Sequence, residues 1–167
     1  FEEGTSTVAA RQAIRAATRD AGVGAILLAI DSPGGTVSGT RDLAEDVAAA
    51  ARQKPVVAFV EDLGASAAYW VASQARKVYS NATALVGSIG TYAAVADYSG
   101  YAAKEGIKVH VLRAGAYKGA GTPGTEITDA QLAEWQRIVD ELNEHFLAAV
   151  ARGRRLGDRR VAVLADG

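Results

Sequence analysis

The sequence predicts an α/β domain with a mostly parallel sheet and flanking helices. Three observations lead there. Short continuous apolar runs at Ala25–Ile30 and Pro55–Val60 have the length and composition of strands buried on both faces. Stretches with apolar residues at helical spacing lie before, between and after them. Strand and helix signals alternate along the chain with no repeat or low-complexity linker, the pattern of parallel strands joined by helical crossovers.

Each element follows from its residues. Thr5–Ala21 reads as a helix with Val8 and Ile14 on its apolar face. Ser38 is placed to cap a second helix that carries Leu43 and Val47 and ends near Gln53. A short alanine-rich helix is expected over Ser66–Gln74, and a short strand over Lys77–Ser80. Gly87–Tyr98 mixes loop and strand signals, and Ser99–Glu105 reads as a short helix. Lys108–Arg113 alternates, with Val109 and Val111 on one face, as a strand does. A Gly/Pro-rich loop, Gly115–Gly124, follows. Thr128 then opens a long helix, and Gln131 completes a capping box. Leu132, Trp135, Ile138, Val139, Leu142 and Phe146 form the expected buried stripe of that helix. Arg152–Arg155 closes it in accord with the helix dipole, and Asp158 is placed to cap a last short helix.

The 167 residues fit one domain with a real core. A formal net charge of -1 gives no bulk electrostatic reason to bind nucleic acid. With no cysteine, disulfides and thiolate metal sites are excluded, and two histidines leave little for zinc. No apolar run approaches the roughly 20 residues that span a bilayer. The chain starts Phe1-Glu2-Glu3, contains no methionine and stops at Ala165-Asp166-Gly167, which leads us to expect a single domain, residues 1–167, cut from a longer protein. Any membrane association would come from segments outside it.

In parallel α/β sheets, sites form beyond the carboxyl ends of strands. Four segments fall there. Asp31-Ser-Pro-Gly-Gly35 follows the first buried strand; its glycines allow a sharp turn and close approach to a ligand, or simply a tight strand–helix turn. Gly64-Ala-Ser-Ala-Ala-Tyr-Trp70 follows the second. Ser66 would open a helix there, with its hydroxyl at the turn and the Ala67 N–H free of helix bonding. That is the logic of a nucleophile elbow without its G-x-S-x-G sequence. A plain N-cap is the simpler reading of that serine taken alone. Ala116-Tyr-Lys118 supplies a base for a serine if the lysine is neutral, or else a loop lysine in water. In Val86-Gly-Ser-Ile-Gly90, Ser88 is suited to hold such an amine, or is a turn residue.

Together these segments resemble the signal peptide peptidase family of serine peptidases, the SppA-like group of peptidase family S49. The resemblance rests on Asp31-Ser-Pro-Gly-Gly35, Ala65-Ser-Ala-Ala-Tyr69, Gly87-Ser-Ile-Gly90 and Tyr117-Lys118, in the family's order. Ser66 and Lys118 stand 52 residues apart, and Ser66 and Ser88 stand 22 apart. The resemblance runs from about Gly4 to Gly167 and implies a Clp protease/crotonase-like fold. It implies that Ser66 attacks the scissile carbonyl, that Lys118 moves its proton and that Ser88 orients the lysine. The N–H groups of Gly35 and Ala67 would form the oxyanion hole, and Thr36, Val37 and Gly87 would bind an extended substrate. No cofactor or metal is implied. A homo-oligomer acting on peptides or unfolded protein is expected, at a bacterial membrane or in a phage procapsid.

Two features depart from the family pattern. Many members have Gly-Gly after the serine, where this chain has Ala67-Ala68. The Ser-Ala-Ala-Tyr-Trp form is closer to members that process phage capsid proteins. Rival readings are a non-catalytic assembly subunit and a crotonase-type acyl-CoA enzyme, the latter with no use for a Ser–Lys pair. A Ser-His-Asp triad would need His110 or His145, and no P-loop sequence occurs. Asp42, Glu45 and Asp46 read as solvated charge on an exposed helix face, and Trp135 as core.

Overall fold

The computed structural model describes residues 4–167. They divide into two compact units, one comprising the chain up to Gly90 together with Asn143–Gly167, the other Thr91–Leu142.

The first unit is built on a parallel sheet with β2 (Val56–Ala65) at its centre. Strand β1 (Ile26–Ser32) pairs with one edge of β2. The other edge takes β3 (Lys77–Ser80) against its first half and β4 (Leu85–Gly87) against its second. The α/β architecture, a parallel sheet with helices packed on it, is thus as the sequence predicts. The second strand outruns the expected Pro55–Val60 because the charged pair Glu61-Asp62 interrupts the apolar run without ending the strand. Pairing slips there, from Ile30↔Val60 to Ser32↔Gly64, so β2 carries two extra residues. The Asp31 carboxylate accepts the Leu63 N–H at 3.0 Å, giving a partner to a donor at the slip.

Helices α1 (Thr7–Arg19) and α2 (Thr40–Gln53) cover one face of this sheet. Ile14, Leu43, Val47 and Ala50 pack there against Val56 and Ala58. Ser6 caps α1 through the Ala9 N–H. Val8, expected on the apolar face beside Ile14, is 61% exposed, and Ala10 packs in that row instead. Gly39, not Ser38, occupies the cap position of α2, at φ 80° with Thr7 tight against it. The opposite face of the sheet is more open than a strand buried on both sides implies: burial alternates along β1, and Leu27 is 66% exposed. The physical reason is that only one helical layer packs here among the described residues.

A second core forms where α3 (Ala67–Ala72) meets the last part of α5 (Asp129–Arg154) and α6 (Asp158–Leu164). Trp70 stacks on Phe146 at 4.7 Å between ring centroids, and Val150 and Val161 pack beside them. Gly157, rather than Asp158, takes the cap position of α6. A buried glutamine fastens α3 to α5, as Gln74 Nε2 donates to the Ala149 carbonyl at 3.0 Å. Approach is closest at Gly153, where any Cβ would stand 2.1 Å from the Ser73 carbonyl oxygen.

Charge on α2 is not free in solvent as the sequence suggested. Arg11 of α1 reaches both Asp42 and Asp46, and Arg15 also reaches Asp46. Glu45 pairs with Arg152. Burial works to raise the Asp46 carboxyl, but its hydrogen bonds to Arg11 and Arg15 outweigh that and hold it below its ordinary value.

In the second unit, α4 (Ser99–Lys104) and the start of α5 flank a long irregular segment. Asp97 ties its ends, accepting the N–H groups of Ser99 at 2.7 Å and Ile127 at 3.0 Å. The capping box forms as expected: Thr128 Oγ1 accepts from the Gln131 N–H, and Gln131 Oε1 accepts from the Thr128 N–H. Lys108–Arg113 is not a strand. Its alternation is real, since Val109 packs on Gly124 and Val111 on Gly119, but no strand in this unit offers it a ladder. Within the expected α5 stripe, Leu132 is 46% exposed, whereas Phe146 is fully buried.

Two outcomes are expected. Gly153→Ala forces α5 off the Ser73 carbonyl and costs about 1–3 kcal/mol in urea unfolding. The Asp46 carboxylate is held below its unfolded value, so its contribution is complete above about pH 4 and is lost as pH falls toward the lowered folded value. Asp46→Asn should flatten that acid limb of a stability–pH curve, and an unchanged limb would show that Arg11 and Arg15 do not stabilise the charged form.

Candidate active site

Strand β2 ends at Ala65 and α3 begins at Ala67, so Ser66 alone makes the turn. It does so at φ 52° and ψ −124°, a region that a side chain enters only under strain. The flanking elements enforce it. The Ser66 N–H donates to the Gly87 carbonyl at 2.8 Å, continuing the β2–β4 ladder. The Ser66 carbonyl meanwhile accepts the Trp70 N–H at 3.0 Å, the first turn of α3. Two hydrogen-bonded directions therefore meet at one residue. The serine hydroxyl makes no capping bond to the helix, which removes the plain N-cap reading and leaves the oxygen available at the turn.

Of the glycine pair after β1, read from the sequence as allowing close approach to a ligand, Gly34 lies against Ser66. A Cβ on Gly34 would stand 2.7 Å from the Ser66 Cβ and 2.9 Å from both the Ala65 oxygen and the Ala67 nitrogen. Gly34 also has φ 106°, so only glycine fits on both counts. Its N–H is held by Ser32 Oγ at 3.2 Å. The Gly-Gly signal marked the place; the sequence held no means of telling which glycine touches the serine.

The remaining candidates in this unit fall around the same turn. Among the described residues, neither the Gly35 nor the Ala67 N–H has a hydrogen-bond acceptor. Thr36 is exposed, and its carbonyl accepts the Thr40 hydroxyl at 2.8 Å. The Val37 carbonyl accepts the Thr40 N–H, and its side chain packs on the second core. Gly87 pairs with Ala65 at the end of β4. Ser88 is exposed at φ 46°, a second non-glycine residue in the left-handed region beside the serine turn.

Lys118 belongs to the second unit. It is exposed in a run of tight turns: its N–H donates to Gly115 O, Ala120 N–H to Tyr117 O and Thr122 N–H to Gly119 O. His110 and His145 are both exposed.

The family description "Peptidase family S49" matches residues 48–167, a span that contains Ser66, Ser88 and Lys118. The chain belongs to peptidase family S49. Among similar proteins, one from Methanocaldococcus jannaschii that carries a protease name is 36% identical over 89% of this chain and 48% of its own. The capsid assembly protease C of Escherichia phage lambda is 32% identical over 83% of this chain and 31% of its own. The head-tail preconnector protein of Enterobacteria phage P21 is 31% identical over 83% of this chain and 28% of its own. The chain therefore spans about half the length of the archaeal relative and about a third of the lambda one.

The strain at Ser66 is measurable. Ser66→Gly should raise stability over wild type by about 1 kcal/mol, because glycine adopts φ 52° without a Cβ penalty. Ser66→Ala keeps the Cβ and should leave stability nearly unchanged. A glycine variant less stable than both would mean that the turn is not strained.

Proposed function

We propose that this S49 chain is a serine endopeptidase in which Ser66 is the nucleophile and Lys118 the general base. The observation that carries the reading is the Ser66 turn: a strained residue between strand and helix, its hydroxyl unused, beside two N–H groups without acceptors. Strain of this kind persists only where neighbouring structure enforces it, and it clusters at reactive residues.

The steps follow ordinary acyl-transfer chemistry. The neutral Lys118 amine takes the hydroxyl proton as Ser66 Oγ bonds to the scissile carbonyl carbon. Negative charge moves to the carbonyl oxygen, where the N–H groups of Gly35 and Ala67 receive it; one such donor is worth about 3–4 kcal/mol to the transition state. The lysine then returns its proton to the departing amine, and the peptide bond breaks. Water, deprotonated by the same amine, releases the acyl group from Ser66. Ser88 orients the amine in this scheme. Thr36, Val37 and Gly87 line the path of an extended peptide, which is held by strand addition through main-chain hydrogen bonds.

The substrates that fit are extended, unfolded segments: remnant signal peptides or phage scaffold and capsid proteins. The likeness to a capsid assembly protease favours the second. A homo-oligomer is the expected working form. A second reading, a fold-keeping assembly subunit without activity, draws on the likeness to a protein named as a head-tail preconnector.

Casein hydrolysis separates the two. Ser66→Ala and Lys118→Ala should each lower turnover by at least about 10³-fold. Full activity in Lys118→Ala would remove the dyad, and absence of wild-type activity would favour the assembly subunit.

A further inference from the structure

The ends of α2 and α5 and the segment just after α3 come together around a cleft of about 830 Å³ in the first unit. Arg52, Arg76, Arg152, Arg154 and Arg155 line it. It lies at the opposite end of β2 from the serine turn: the Arg76 N–H donates to Val56 O at the start of β2, whereas Ser66 follows its end. A chain of net charge -1 thus gathers five arginines around one concavity.

Helix ends attract cations, so capping must be weighed first. The carbonyls here are largely satisfied without Arg52, Arg76 or Arg155. Arg154 donates to Ser73 O and Ala75 O, Gln74 to Trp70 O and Ala149 O, and the Lys54 N–H to Ala50 O. Each helix end brings roughly half a negative charge. Glu45, paired with Arg152 at 2.7 Å, is the one carboxylate joined to these arginines among the described residues. The charge of five arginines exceeds that sum, and Arg52, Arg76 and Arg155 make no ion pair among the described residues.

The backbone points the same way. The Leu156 N–H donates to Ala151 O and the Arg155 N–H to Arg152 O, closing α5 with Arg155 at φ 54°. Glycine ordinarily fills that left-handed position. An arginine there costs stability that a glycine would not, which calls for a use of its charge. Gly153, in contrast, is glycine because only a hydrogen fits against the Ser73 carbonyl, and that approach is what brings Arg152, Arg154 and Arg155 to the end of α3.

We infer that this cleft binds a small polyvalent anion bearing phosphate groups. Guanidinium forks match phosphate oxygens in bidentate pairs, and the volume suits a small molecule. The half-buried Arg154, held by backbone carbonyls, forms the floor, and Arg52, Arg76 and Arg155 supply the free donors.

Calorimetric titration with sodium tripolyphosphate at constant ionic strength tests this. Wild type should bind at one saturable site. Arg52→Ala and Arg155→Gly should each weaken binding about tenfold, the loss of one charge-assisted pair. Arg155→Gly relieves the left-handed strain and should melt no lower than wild type, so its loss of binding would not reflect unfolding. Arg137→Ala, in the second unit, should bind as wild type does. Absence of saturable binding, or equal binding by Arg52→Ala and Arg155→Gly, overturns the site. Citrate binding as tightly as tripolyphosphate would overturn the phosphate assignment.

Discussion

Strand β2 is paired as far as Gly64 on one edge and to its last residue, Ala65, on the other, and the rest of the serine turn depends on that constraint. Ala65 is held by Gly87 on one side, and Gly64 by Ser32 on the other. A strand free at its end would relax into an ordinary turn, and Ser66 would take a common conformation. Pinned on both edges, β2 hands the chain directly to α3, whose own first hydrogen bond comes from Trp70 to Ser66. Trp70 is in turn locked by its stack on Phe146. Ser66 is thereby positioned by rigid elements on each side, the arrangement that precise chemistry requires.

The two-residue slip in β1–β2 pairing serves the same end. Without it, Ser32 would stand opposite Asp62 rather than Gly64. With it, the loop after β1 comes level with the serine turn, and Gly34 comes so close that a Cβ on it would stand 2.7 Å from the Ser66 Cβ. Asp31 offsets the cost by accepting the Leu63 N–H. The opening aspartate of Asp31-Ser-Pro-Gly-Gly35 is therefore structural, while Gly34 meets the turn.

Much of this was legible beforehand, for identifiable reasons. Helices α1, α2 and α5 have strong apolar periodicity, and the Thr128–Gln131 box carries its own signature. Ser66 was legible as a serine between an apolar strand and an alanine-rich helix. Its φ was not, because strain arises from the pairing of β2 with β4, residues 85–87, which no local pattern encodes. The strand expected at Lys108–Arg113 fails for a related reason: alternation reports which side chains pack, not whether a neighbour exists to complete the ladder. Asp46 was misread as solvated because its partners, Arg11 and Arg15, lie on another helix about thirty residues away.

Fold and family narrow the chemistry without assigning roles to atoms. A parallel α/β sheet hosts many reactions, and an exposed loop lysine is by itself ordinary. What distinguishes this chain is a contrast between two serines and an arginine that all sit at positive φ. Ser66 is forced there by hydrogen bonds on both sides. Ser88 follows a glycine at φ 122° in the strand that holds Ser66 in place. Arg155 ends a helix near the other end of β2, where glycine would be ordinary. Strain tolerated at a single turn is weak evidence. Strain at both ends of the same sheet, on a serine with an unused hydroxyl at one end and within an arginine cluster at the other, is better explained by use than by accident. The two ends call for different chemistry, since a hydroxyl beside free N–H groups suits acyl transfer whereas convergent guanidinium groups suit anion binding.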